Sequence, residues 1–163
     1  MRTTMAIPVG TAVIAQEPLT DALWSELMPL LTRHYHEIAT YRDIPLDPDR
    51  ERYEVIQRAG GLRVFTARAD GILVGYICFV VSRNLHYRSS VVASQDVIWL
   101  EQGLRGLAIG RDLMSHAEGV LRAEGVQIVT QHGKFAPGIN IGAWLRRQGY
   151  VEQDIIYTKR LDL

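Results

Sequence analysis

The stretch GLRGLAIGRDLM, Gly103 to Met114, sets the small residues Gly106, Ala108 and Gly110 between Arg105 and Arg111 and then becomes an apolar helix pattern. A helix start leaves backbone N–H groups unpaired at the positive end of its dipole, and small residues let an anion reach them. That chemistry suits a pyrophosphate. The stretch is neither the dinucleotide fingerprint G-x-G-x-x-G nor the loop G-x-x-x-x-G-K-[ST]. By pattern alone, a glycine-rich turn into a structural helix stays open. Groups able to take a proton lie on either side. Asp96 is in SQDVIWL, His132 ends VQIVTQH, and His86 is in LHYRSS, beside Tyr87. A carboxylate or an imidazole can serve as general base. In HYHEIATYRD, His34, Glu37 and Tyr41 fall at i, i+3 and i+7, one face of a helix, where a carboxylate and an aromatic ring suit a cationic amine.

Each of these residues also has a structural reading. Asp96 is then a hydrogen-bond acceptor, His132 a strand end, His86 a solvated hairpin residue, and the 34–41 group a solvated helix end. His116 reads as a helix-face residue. The histidines of HYHE are two apart and diverge on a helix, unlike H-E-x-x-H, so no metal site is expected.

The elements that must position these residues read as follows. TAVIAQ is a first strand, Thr11 to Gln16. Thr20 or Asp21 caps a long helix with an apolar stripe of Leu23, Leu27, Leu30, Leu31, Tyr35 and Ile38, which Pro29 should kink or split. Asp47 with Pro48 opens a short helix that runs to Ala59 and stops at Gly60-Gly61. LRVFTARA and ILVGYICFVVS flank the turn signal Ala-Asp-Gly. VVASQDVIWL is a further strand, followed by a helix from Ile109 to Glu124. Then come a strand VQIVTQH, a short helix IGAWLRRQ ended by Gly149, and a final strand or two in YVEQDIIYTKRL. The order β, α, α, β-β-β, α, β, α, β makes an α/β chain, a mixed sheet with helices packed on it.

At 163 residues the chain is expected to be one domain, residues 1–163. Lys+Arg and Asp+Glu stand at 18 each, so no global charge draws it to nucleic acid or an anionic membrane. The one cysteine, Cys78, excludes an intrachain disulfide framework and fits a reducing cytoplasm. No apolar run approaches the ~18 residues of a membrane span. MRTTMAIPVGTAVIAQ reads as a mature start rather than a signal peptide.

RGLAIG, Arg105 to Gly110, resembles the acyl-CoA-binding signature [Q/R]-x-x-[G/A]-x-[G/A] of the GNAT N-acetyltransferase superfamily, with Arg105, Ala108 and Gly110 in its defined positions. The context is similar too. The motif follows a hairpin and a strand, opens an amphipathic helix, and is followed by a strand and a short helix ending in Gly149-Tyr150. HYHEIATY, IPLDPD and LHYRSS also look like small phage-encoded members. The resemblance implies a mostly antiparallel central sheet flanked by helices, the acyl-CoA N-acyltransferase fold. It implies that the strands DVIWL and VQIVTQH splay at a bulge and admit pantetheine.

Ile98, Trp99 and Leu100 would then meet the pantetheine and thioester through their backbone groups. The N–H groups of Arg105, Gly106, Leu107, Ala108, Ile109, Gly110 and Arg111 would hold the pyrophosphate, with Asn140 a weaker carry-over. A backbone N–H near Trp99 or Leu100 would polarise the acetyl carbonyl. An amine attacks directly in a ternary complex, with Asp96, His132 or His86 as the catalytic base. His34, Glu37, Tyr41 and Tyr87 would line the acceptor side. The chain departs from the family at Leu145, where many members carry the tyrosine that protonates the thiolate. Tyr150, Tyr157 or water would substitute, or no acid is needed.

The resulting expectation is an acetyl-CoA-dependent N-acetyltransferase of small-molecule or peptide amines, cytoplasmic (the host cytoplasm if phage-encoded) and plausibly a homodimer. Two alternatives stay beside it. One is a phage-type nucleic-acid base modifier, which zero net charge disfavours. The other is a catalytically silent module that binds acyl-CoA or a partner.

Overall fold

Alternating apolar residues build the sheet around which everything else is placed. In this computed structural model, residues 12–134 and 141–162 are described, and the chain divides into two compact units between His132 and Gly133. Thr11, the expected start of the first strand, and Asn140 lie outside the described residues. The first unit holds five strands: β1 (Val13–Glu17), β2 (Leu62–Ala69), β3 (Ile72–Arg83), β4 (Val91–Leu100) and β5 (Ile128–Thr130). They lie in the order β1-β2-β3-β4-β5, antiparallel except for the parallel pair β4/β5. Asp70 and Gly71, at φ 48° and 80°, make the tight turn between β2 and β3, where two positive φ values match the twist of the strands.

Three helices cover the sheet. Helix α1 (Asp21–Ile38) and helix α2 (Arg50–Arg58) share an apolar cluster with one face, in which Leu23, Leu27 and Leu30 meet Val64, Tyr76, Cys78 and Trp99. Helix α3 (Ala108–Ala123) lies on β1, β2 and β3 and buries Leu113, Met114, Ala117 and Leu121. His116 sits on α3 with its ring edge-on to Phe65, 6.0 Å between centroids, a helix-face residue as expected.

Several element boundaries differ from expectation. Helix α1 is not split at Pro29. Its packed leucines on both sides of the proline hold it together despite the lost hydrogen bond. The cap of α2 is Asp49, whose carboxylate accepts the Arg52 N–H at 2.9 Å, two residues later than Asp47. Strand β5 is shorter than the expected VQIVTQH: its pairing with β4 runs from Val92–Ile128 to Ser94–Thr130.

In the second unit, helix α4 (Ile141–Arg147) ends in a Schellman turn, with Gly149 at φ 90° and Tyr150 N–H donating to Leu145 O. No strand forms over residues 151–162. Val151, Ile155, Ile156 and Tyr157 are exposed there. Strand propensity is realised only where a neighbouring edge supplies hydrogen bonds, so this stretch does not meet the expectation of a final strand.

Candidate active site

The site begins where β4 outlasts its neighbour. Ser94 is the last β4 residue paired with β5, yet β4 runs on to Leu100 with β3 on its other side. Residues 95–100 therefore have no strand partner on the β5 side among the described residues. Within this run the register slips. Cys78 pairs with Val97 and Phe79 with Gln95, so Asp96 is an extra, bulged residue. The buried Gln95 side chain accepts the His132 N–H at 2.8 Å, just beyond the point where the strands part. Gly75 on β3 admits the end of β4. A Cβ there would stand 2.8 Å from Leu100 Cδ1 and 3.2 Å from Trp99 O.

The chain then turns into α3 through a short 3-10 turn, Gln102–Leu104, anchored by the buried Leu104. No side chain caps α3 at Leu107. The N–H groups of Leu107, Ala108, Ile109 and Gly110 thus precede the first intrahelical bond. Gly106 adopts φ 85°, and a Cβ on it would meet nothing within 4 Å. The geometry narrows the expected cradle at both ends. The Arg105 N–H is bonded to Gln102 O, and Arg111 is the fourth helical residue, whose N–H enters the helix ladder. Neither arginine is an uncompensated charge. Arg105 pairs with Glu37, and Arg111 with the adjacent Asp112 at 3.0 Å.

The residues expected on the donor side lie close along the chain: Ile98, Trp99 and Leu100 on the strand, and Gly106 through Gly110 on the turn, where a Cβ on Gly110 would stand 3.6 Å from Leu100 Cδ2. The acceptor-side residues are more dispersed. Asp96 is exposed and accepts a hydrogen bond from the Tyr53 hydroxyl of α2. The bulge breaks the alternation of side-chain faces between Asp96 and Ile98. Asp96 turns instead toward Tyr53, which packs on the same cluster as Val97 and Trp99. Burial and then Asp96 push the Tyr53 hydroxyl well above the usual tyrosine range, so it stays a protonated donor.

His34 is buried, with Nδ1 3.2 Å from the Tyr76 hydroxyl, so it belongs to the core rather than to a substrate face. Tyr41 lies beyond the end of α1 at Ile38, and the i+7 spacing has no helix to act through. The Glu37 carboxylate is held by Arg105, and by Trp99 Nε1 at 3.0 Å, instead of facing an amine. These hydrogen bonds, Arg105 first, lower it to about 2 against the opposing effect of burial. His86 and Tyr87 are at the β3–β4 hairpin tip, their N–H groups bonded to Asn84 Oδ1. In the second unit, Leu145 is buried, Tyr157 is exposed and Tyr150 is half-buried. Sequence reasoning missed Tyr53, Gln95 and Arg33. Of these only Gln95, next to Asp96 on the strand, carried any signal.

Among the described residues, the β4 edge without a strand partner, the bulge at Asp96 and the start of α3 without a side-chain cap thus follow one another along the chain. Residues 21–150, from the first turn of α1 to the residue after Gly149, match the acetyltransferase (GNAT) family. The chain belongs to the GNAT acetyltransferases. No curated protein matches its sequence.

Solved structures share the fold at low identity. An aminoglycoside acetyltransferase from an uncultured soil metagenomic sample, in complex with sisomicin, superposes with a TM-score of 0.71 at 15% identity, over 93% of this chain and 97% of that one. A ribosomal-protein-alanine N-acetyltransferase from Brucella melitensis biovar Abortus 2308 gives 0.68 at 22% identity, over 93% and 99%. Glucosamine-6-phosphate N-acetyltransferase from Arabidopsis thaliana gives 0.67 at 11%, over 92% and 99%. The mixed, mostly antiparallel sheet flanked by helices is thus the expected one, apart from the final strand. No helix among the described residues is long and apolar enough to cross a membrane.

Proposed function

We propose that this GNAT enzyme transfers an acetyl group from acetyl-CoA to a primary amine by direct attack in a ternary complex. The observation that carries this is the β4 edge at 97–100, without a strand partner on the β5 side among the described residues, leading through a short turn to the start of α3, which no side chain caps. The residues present fit the donor. The strand edge offers backbone groups to the amides of pantetheine, and the N–H groups of Leu107 to Gly110 suit a pyrophosphate. Acetyl-CoA supplies the activated thioester.

The chain's own part is orientation and proton handling. Gly75 lets Leu100 close against β3, and a Cβ on Gly110 would lie 3.6 Å from Leu100 Cδ2, so this leucine sets the strand end beside the helix start. Asp96, exposed in the bulge and steered by the Tyr53 hydroxyl, is the base that takes the amine proton, directly or through water. His132 and His86 are the remaining candidates. The solved relatives named for aminoglycosides, a ribosomal-protein alanine and glucosamine-6-phosphate define the first acceptor panel.

The test is release of CoA thiol from acetyl-CoA on adding each amine. Acceptor-dependent release supports the reading; none with any amine, in a protein that binds acetyl-CoA, favours a silent acyl-CoA-binding module.

A thiol reagent can read this reaction because Cys78 is buried and burial pushes its thiol up, out of the reactive range. The native protein should give no thiol signal and the unfolded protein one equivalent per chain, from its one cysteine. Rapid native labelling would mean that the cluster under α1 opens. A single buried thiol also supports a reducing compartment such as the cytoplasm.

A further inference from the structure

Two residues one helical turn apart on α1 grip two residues four apart on the turn after β4, with crossed charges. Arg33 Nη2 meets Glu101 Oε2 at 3.0 Å, and Glu37 meets Arg105 through both guanidinium amino groups. The grip extends into the strand. Glu37 also accepts the Trp99 indole N–H, and Arg105 Nε donates to Leu100 O at 2.8 Å. Arg33 and Arg105 both lie over the Trp99 ring, 5.4 and 5.8 Å from its centroid. Every residue from Trp99 to Glu101, and Arg105 beyond them, is thereby tied to α1 or to its neighbour. Arg105 is spent inside the protein, so the first position of the RGLAIG motif faces α1 and not an incoming phosphate.

We propose that Glu37 is a positioning residue for the acyl donor, presetting the strand end and the Leu107–Gly110 turn through Arg105 and Trp99. This rests on reading that turn as the acetyl-CoA site. A turn already held in place spares the donor the cost of ordering it. The two grips are unequal. The Arg33 side chain is 52% exposed and its pair contributes little, whereas the Glu37 side chain is 13% exposed and hydrogen-bonded to both Arg105 and Trp99.

The experiment is a titration of acetyl-CoA into the wild type, Glu37→Gln, Arg105→Gln and the double variant, with ligand-free melting curves to show that each is folded. Each single variant should bind about tenfold more weakly and the double variant about tenfold as well, since one linkage is lost in all three. The KM for acetyl-CoA should rise with the dissociation constant, and the KM for the amine should not follow it.

A wild type that fails to bind acetyl-CoA overturns the donor-site reading itself. A wild type that binds, with Glu37→Gln binding equally well, overturns only the positioning role. So does a double variant roughly a hundredfold weaker, because the two losses are then independent. A rise confined to the amine KM would make Glu37 an acceptor contact instead. If Glu37→Gln does not fold, Trp99→Phe keeps an aromatic ring and removes the indole donor. It should weaken acetyl-CoA roughly threefold, and unchanged binding would count against the linkage.

Discussion

Gly110→Leu should leave the free protein at least as stable as the wild type and remove most of its stabilisation by acetyl-CoA. The two effects have opposite signs, which makes the variant informative. Gly110 is the third residue of α3, and a Cβ built there meets only Leu100 Cδ2, at an ordinary 3.6 Å. Replacing glycine inside a helix by leucine removes backbone freedom from the unfolded chain, a gain of roughly 0.5–1 kcal/mol. The same side chain would rise over the helix start where the pyrophosphate must approach the N–H groups. Acetyl-CoA at a hundred times its dissociation constant should stabilise the wild type by about 2.7 kcal/mol, and after a hundredfold loss of affinity by only about 0.4 kcal/mol. For a chain of this size each kcal/mol moves the melting temperature by roughly 2–4 °C, so melting curves with and without acetyl-CoA resolve the difference. A leucine variant that keeps the full shift would place the donor somewhere other than this turn.

What could be read in advance was whatever a local pattern encodes. The N-terminal cap of α1 at Thr20, the paired positive-φ residues Asp70 and Gly71, the start of α3 and the stop at Gly149 each depend on a few adjacent residues, and each was legible. Contacts across the fold were not. Tyr53 and Asp96 are 43 positions apart, and Glu37 and Arg105 are 68 apart. Nothing in HYHEIATYRD marks Glu37 as the partner of a motif arginine rather than of a substrate amine. His34 departs from expectation for a related reason. The i, i+3, i+7 face runs past the end of α1, while the stripe Leu23, Leu27, Leu30 carries straight on to His34 and buries it against Tyr76. The bulge at Asp96 depends on the register with β3, which neither strand states alone, and it overturns any face assignment made by alternation along β4. The stretch after Gly149 is rich in strand-forming residues but forms no strand, because propensity without a paired edge is not enough.

Asp96→Asn should lower kcat/KM for the amine by about a hundredfold or more, the usual contribution of a positioned base, while the acetyl-CoA-induced melting shift persists. The substitution nearly conserves shape, and the amide oxygen can still accept the Tyr53 hydroxyl, so the bulge is expected to stay in place. What is lost is the ability to hold a proton. Tyr53 cannot take over, because burial keeps its hydroxyl protonated. Tyr53→Phe removes only the steering of the carboxylate and should cost roughly tenfold, in line with one hydrogen bond to a charged group. His132→Gln and His86→Gln complete the comparison. His132 follows β5, where its N–H is bonded to Gln95, and His86 is out on the hairpin tip. A hundredfold loss in His132→Gln with Asp96→Asn near the wild-type rate would move the base to the β5 side of the split. The same pattern for His86→Gln would bring the hairpin tip over the site during turnover.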